Sequence, residues 1–180
     1  LLAALDADPT VALAAPTLRL ADGSAQESPR RFYDLPALLA QRTPFRQTAR
    51  GKAARARHLM TGYDRQAPVD VDWVTGAAML LARDALPVQG PFDERYFLYF
   101  EDVDLCRRLG ASGRSVRFVP EAVVEHDFGR GSRRQTPWNP LLWRHLLSGL
   151  LYATRWSERR HRARPWTAVA ARIGRAVGRA

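Results

Sequence analysis

The run Val11–Leu20, VALAAPTLRL, constrains the fold of this chain most. Its apolar residues follow one another without alternation, so the segment reads as a buried strand, broken by Pro16. Leu1–Ala7 ahead of it reads as the last turns of a helix, and Ala21–Ser24 (ADGS) as a turn. Residues 28–70 lack steady periodicity and read as a long loop with one short helix at Leu35–Ala40. Asp70–Ala82 starts extended and stays apolar, which predicts a strand over Ala77–Ala82. Arg83–Val88 follows as a helical turn ended by Gly90 and Pro91. Glu101–Leu109 carries the marks of a helix at both ends. Glu101, Asp102 and Asp104 stand in its first turn, where the dipole favours acids, Arg107 and Arg108 in its last, and Gly110 or Gly113 stops it. Ser115–Val119 and Ala122–Glu125 read as two short strands around Pro120. Strands mix with helices and no internal repeat is visible, so the class is α/β or α+β.

A chain of 180 residues suits one domain with a real core. Its single cysteine, Cys106, excludes an internal disulfide and a cysteine zinc cluster. No apolar run reaches the ~18 residues of a spanning helix, and no secretory signal is visible. The chain opens at Leu1 directly into LLAALDADP, and is expected to be a piece cut from inside a longer protein. The net charge of +10 is uneven: residues 41–70 hold seven Lys or Arg against two acids, and residues 141–180 hold nine Arg against Glu158. Such segments seek the phosphates of lipid, nucleotide or nucleic acid, or simply form a solvated face. Lys52 is the only lysine. So strong a preference for arginine weakens any argument from arginine counts alone.

The tail differs in kind. Trp143, Leu146, Leu147, Leu150 and Leu151 fall at helical spacing within Trp138–Trp156, and Trp166, Val169, Ile173 and Val177 repeat the pattern. The first helix is expected to pack on its own domain. The second, with Arg172, Arg175 and Arg179 off its apolar stripe, is expected to contact an anionic membrane surface. Residues 136–180 would then be a basic amphipathic extension that lies on a membrane without crossing it.

Chemistry concentrates between Asp72 and Phe128. Asp102 follows Glu101 at a helix start, directly after the aromatic run Tyr96, Phe97, Tyr99 and Phe100. A carboxylate beside apolar groups keeps its proton longer and can be tuned as a general base, while the helix dipole pulls the other way. The plain alternative is a charged first helical turn. His126 ends the apolar run AVVE, a plausible place for a ligand to a divalent metal, although a lone histidine is more often structural.

Taken together, W-x-x-G-A, then G-x-F-D-E-x-Y-F-x-Y-x-E-D-V-D-L-C-x-R, then G-x-x-V-x-x-x-P-x-A-x-V-x-H resembles the family 2 glycosyltransferases of the GT-A fold. The bacterial rhamnosyltransferase-like branch, which builds cell-wall and surface polysaccharides, is the nearest in pattern. The resemblance covers about Leu1 to Phe128. It implies an α/β fold: residues 1–135 as the C-terminal half of a GT-A nucleotide-diphospho-sugar transferase domain, followed by the basic helical tail. It also implies an inverting sugar transfer, rhamnose among the candidate sugars, from a nucleotide-sugar donor to a saccharide or polyprenyl-linked acceptor. Asp102 would be the general base, with Glu101 its neighbour and possible substitute. His126 would be a ligand to a divalent cation, Mg2+ or Mn2+, that steadies the leaving diphosphate. Trp73, Thr75, Gly76 and Ala77 would line the donor sugar and acceptor, and Arg130, Arg133 and Arg134 would stand near the diphosphate. The implied location is cytoplasmic, at the inner face of the cell membrane.

The sequence departs from that family by lacking its N-terminal half, with the base-binding acids and the Asp-x-Asp-type metal motif. Asp6 and Asp8 have the spacing of that motif but lie in the helix-end segment that follows it in the family. Asp70 and Asp72, which share the spacing, are expected to be structural or acceptor-side. Two other readings remain. One is a basic nucleic-acid-binding module, disfavoured because Trp143 and Trp166 alternate with leucine and valine rather than with arginine. The other is an inactive transferase-like scaffold, against which the intact EDVD and His126 speak.

Overall fold

The computed structural model describes residues 1–63, 65–88, 90–126 and 140–157. Arg130, Arg133, Arg134 and the second tail helix expected at Trp166–Val177 lie outside the described residues.

The chain is a mixed α/β structure around one strand. A short helix, α1 (Leu2–Asp6), leads into β1 (Val11–Arg19), which is buried from Val11 to Pro16. β1 pairs in parallel with the last strand of the sheet, β5 (Ser115–Glu125), whose other edge takes β3 (Val69–Val71) antiparallel. The opposite edge of β1 is shared. β4 (Leu80–Leu81) pairs with Leu13 and Ala14, and β2 (Ala25–Gln26) with Leu18 and Arg19. Parallel pairing of β1 with β5 forces a long crossover, and the intervening chain supplies the helices and the site.

The two prolines of the strand pair meet. Pro16 faces Val119, but the next residue, Thr17, faces Val123. Pro120–Ala122 therefore bulge out of β5, and Thr17 Oγ1 donates to the Pro120 carbonyl at 3.0 Å. Proline has no N–H for the ladder, so placing both at one irregularity limits the loss. The two short strands read around Pro120 are accordingly one strand with a bulge.

Residues 28–70 are not a long loop. They hold α2 (Leu35–Arg42), a 3-10 turn (Pro44–Gln47) and α3 (Ala49–Leu59). The sequence ARGKAARARHL shows no apolar stripe because the face it buries is small: Gly51, Ala54, His58 and Leu59. Alanine-rich helical propensity and the Thr48 hydroxyl, which accepts from Gly51 N–H at 3.0 Å, define it instead. The strand read over Ala77–Ala82 shrinks to Leu80–Leu81, and β3 lies just before it. The central helix, α4 (Glu101–Ala111), runs through Gly110, and Gly113 (φ +85°) follows its end.

The helix that closes the described chain, α5 (Pro140–Ser157), packs on the domain as expected, but of its predicted apolar stripe only Leu151 packs against the core among the described residues. Tyr152 and Trp156 join the core with Phe100, Val103, Leu105 and Cys106, while Trp143, Leu146, Leu147 and Leu150 are exposed. Among the described residues no helix is long and apolar enough to cross a membrane.

α3 delivers its one buried titratable group, His58, against Tyr33 (4.4 Å between ring centroids) and near Trp73 (6.2 Å). Burial, with the Arg30 charge adding to it, lowers the His58 pKa to about 4. The unfolded chain therefore binds the proton first, between about pH 6.5 and 4, and stability rises with pH across that window. Lowering the pH from 7 to 4 should cost roughly 3 kcal/mol through His58 alone. Urea unfolding of the wild type and of His58→Phe at both pH values checks this. The variant should lose less by that amount, and equal losses would show that the ring carries its charge in the folded state.

Candidate active site

The acidic pair is set by a strained turn. Tyr99 (φ 69°) and Phe100 (φ 68°) are consecutive left-handed residues, a conformation that costs a side-chain-bearing residue roughly 1–2 kcal/mol. Aromatic packing holds it. The buried Phe100 ring lies 5.6 Å from Tyr33, 5.4 Å from His145 and 5.3 Å from Tyr152, and Tyr99 lies 4.7 Å from His145. Gly149 of α5 leaves room for that ring, since a Cβ there would sit 3.3 Å from Phe100 Cε2. Backbone strain of this kind concentrates where a fold must aim a functional group. Here the turn launches α4 with Glu101 and Asp102 first.

Asp102 is partly buried and held by the backbone. Its Oδ2 accepts from Gly76 N–H at 3.0 Å and its Oδ1 from Val103 N–H at 2.8 Å. Burial pushes its pKa above the usual carboxylate value, against the two amides and the Arg30 charge. Each oxygen retains lone-pair capacity beyond its one amide, so the group can still accept a proton. Gly76 is close because it has no side chain: a Cβ there would stand 3.2 Å from Asp102 Cβ. Glu101 is likewise shifted upward, by burial first and by the neighbouring Asp102 charge. Its Oε2 is buried with no hydrogen-bond partner among the described residues. A pair of neighbouring carboxyls, both made more basic, is an arrangement suited to proton transfer.

One residue that the sequence offered only as a helix-start acid turns out to organise the site. Asp104 is fully buried. Its Oδ1 accepts from the Trp156 indole N–H at 2.9 Å and from Tyr96 OH at 3.4 Å, and its Oδ2 from Arg108 Nε at 2.9 Å. Arg155 approaches the same carboxylate at 3.5 Å and also grips Asp93. Asp93 is held well below the usual carboxylate range, first by Arg95. Ser148 Oγ donates to the Leu98 carbonyl at 2.8 Å. α5 thus clasps the 93–100 loop through Ser148, Gly149 and Arg155, and α4 through Trp156. No hydropathy pattern marks this polar and aromatic face; the acids of EDVD, Glu101, Asp102 and Asp104, were the one available signal.

The other predicted site residues are distributed around this centre. Thr75 N–H contacts Ser28 Oγ at 3.3 Å, and Ala77 is exposed next to Gly76. Trp73 is buried, with its indole N–H donated to the Arg31 carbonyl at 3.0 Å and the Arg30 guanidinium 5.3 Å from its ring. Asp72 accepts from Arg31 and from Phe32 N–H, and Asp70 pairs with Arg117 at 2.8 Å, so both tie the chain together. Asp8 pairs with the same Arg117 at 3.0 Å. His126, at the end of β5, places Nδ1 2.9 Å from Gln26 Oε1. If Nδ1 donates to that oxygen, the lone pair sits on Nε2, one of the two nitrogens through which histidine ligates metals. Among the described residues no three of His, Cys, Asp and Glu are placed to hold a metal ion, so they do not form a complete cation site.

With this geometry in hand, the chain can be set beside known proteins. It is 40% identical over 87 residues to an N-acetylglucosaminyl-diphospho-decaprenol L-rhamnosyltransferase of Mycobacterium tuberculosis, covering 48% of this chain and 28% of that protein. It is 37% identical over 86 residues to the rhamnosyltransferase WbbL of Escherichia coli, covering 47% of this chain and 31% of that protein. It is 37% identical over 98 residues to a pre-mycofactocin glycosyltransferase of Mycobacterium tuberculosis, covering 51% and 21%. The chain is therefore a relative of bacterial sugar transferases, and of rhamnosyltransferases in particular. It spans less than a third of the length of these curated relatives. No family model matches it, and no solved structure does.

Proposed function

We propose that this chain forms the acceptor and base side of an inverting glycosyltransferase of GT-A type, which moves a sugar such as rhamnose from a nucleotide-sugar donor. The acceptor would be a lipid-linked saccharide, the class that the mycobacterial relative's name records. The observation that carries the reading is the Asp102 carboxylate, raised in pKa by burial and fixed by Gly76 and Val103 N–H at the foot of a strained aromatic turn. In the step envisaged, the acceptor hydroxyl gives its proton to Asp102. Its oxygen forms the bond to the anomeric carbon, and the bond from that carbon to the donor's diphosphate breaks, with the electron pair leaving on the phosphate oxygen. Glu101 stands beside the base, and its raised pKa makes it the nearest substitute. Thr75, Gly76 and Ala77 would border the hydroxyl. Arg130, Arg133 and Arg134 are assigned to the diphosphate on the chemistry of arginine with phosphate.

Asn keeps the shape of Asp and loses its basicity. In the full-length protein Asp102→Asn should slow transfer by about 10²–10⁴ while donor binding changes little. Single-turnover rates with a radiolabelled donor check this; wild-type turnover would move the role to Glu101.

A divalent cation, Mg2+ or Mn2+, would neutralise charge on the leaving diphosphate. His126 is the described residue proposed to contribute to it, and other donors must come from outside the described residues. His126→Ala should then raise the Mn2+ concentration needed for half-maximal rate. An unchanged metal titration would return His126 to a structural role at the end of β5.

The outward face of α5 supports a peripheral place at the inner membrane face. Trp143, Leu146, Leu147 and Leu150 project from a segment whose surroundings, residues 141–180, hold nine arginines and one acid. Leu147→Glu should reduce sedimentation with vesicles containing phosphatidylglycerol several-fold at unchanged circular dichroism. Equal sedimentation would detach α5 from that role.

A further inference from the structure

The basic segment 41–70 is not used by the transferase reading, yet it folds into a defined concave feature. A depression of about 530 Å³ is lined by Arg46 and Gln47 of the 3-10 turn, Lys52, Arg55 and Ala56 of α3, and Thr61 beyond it. No acid lines it. None of its three cations forms an ion pair among the described residues, although Arg57 on the same helix pairs with Asp34 at 2.6 Å. Most other described arginines away from this segment are engaged: Arg31, Arg95, Arg108, Arg114, Arg117 and Arg155 all face carboxylates.

The depression is also fixed in shape. A Cβ at Gly51 would lie 1.9 Å from the Phe45 carbonyl oxygen, so only glycine lets the 3-10 turn press on the first turn of α3. Thr48 stitches the same joint, donating to Phe45 O at 2.7 Å and accepting from Gly51 N–H. That joint brings Arg46, next to Phe45, and Lys52, next to Gly51, to the same depression. Lys52 and Arg55 are three apart on α3 and so share a face. Like charges gathered around one depression raise the local positive potential and favour an anion there.

We propose that this depression is a binding site for a diphosphate group. Two guanidiniums and an ammonium provide charge-assisted donors for several phosphate oxygens, and Gln47 and Thr61 add neutral ones. The opening exceeds what a single phosphate needs. The ligand chemistry could reach the site on a soluble or lipid-linked diphosphate ester, or as the phosphates of a bilayer surface. The proposal is separate from the transferase reading and should hold in an Asp102→Asn protein.

The test is calorimetric titration of the full chain with inorganic pyrophosphate in EDTA, which removes binding that depends on a cation. Pyrophosphate should bind more tightly than inorganic phosphate. The triple variant Arg46→Gln, Lys52→Gln, Arg55→Gln changes only exposed side chains, and it should weaken pyrophosphate binding at least about tenfold. Its sedimentation with phosphatidylglycerol vesicles should stay as in the wild type if the ligand is a discrete diphosphate, and should fall in step with pyrophosphate affinity if the headgroup is a source. Three results would overturn the proposal: no pyrophosphate binding by the wild type, equal affinity in the triple variant, or binding of single-stranded DNA that pyrophosphate does not displace.

Discussion

The buried carboxylate of Asp104 is the constraint on which the site depends. A charge in the interior is tolerable only where hydrogen-bond donors surround it, and here they come from three separate elements. Trp156 and Arg155 belong to α5, Tyr96 to the preceding loop, and Arg108 to α4 itself. Satisfying one carboxylate therefore fixes a helix, a loop and a second helix against one another. The left-handed turn at Tyr99 and Phe100 is affordable because this network and the Phe100 packing oppose its relaxation.

From that frame the acidic pair acquires its character. Asp102 is two residues from Asp104, on the same first turn, but its partners are backbone amides rather than arginines. Asp104 is neutralised by guanidinium groups and serves structure. Asp102 is left more basic by burial. Two carboxylates on one helical turn sit in different surroundings because their donors differ, and the donors differ because α5 lies over one and Gly76 over the other.

The two faces of α5 divide along the same line. Its inner face is polar and aromatic, made of Ser148, Tyr152, Arg155 and Trp156, each with a defined partner. Its outer face carries Leu146, Leu147, Leu150 and Trp143. Hydrogen bonds and ring contacts, more than aliphatic burial, seat the helix, and Leu146, Leu147 and Leu150 stay exposed.

Local chemistry in the sequence determined the central strand, the helix at Glu101 and the resemblance to sugar transferases that the known relatives bear out. An uninterrupted apolar run and a charge-marked helix are encoded within ten residues, so they can be read without the rest of the chain. Asp102 could be nominated on the same basis, from its place after an aromatic run. What tertiary structure decided were the features that depend on distant partners. Pro16 and Pro120 merged two predicted strands into one with a bulge because their missing N–H groups coincide across the ladder. α3 was hidden because it buries small residues and one histidine, which leave no periodic apolar signal. The outward leucines of α5 and the burial of Asp104 reversed what hydropathy alone predicts. In both cases specific polar pairing between segments 50 to 52 residues apart outweighs the average preference of a side chain for water or for the core.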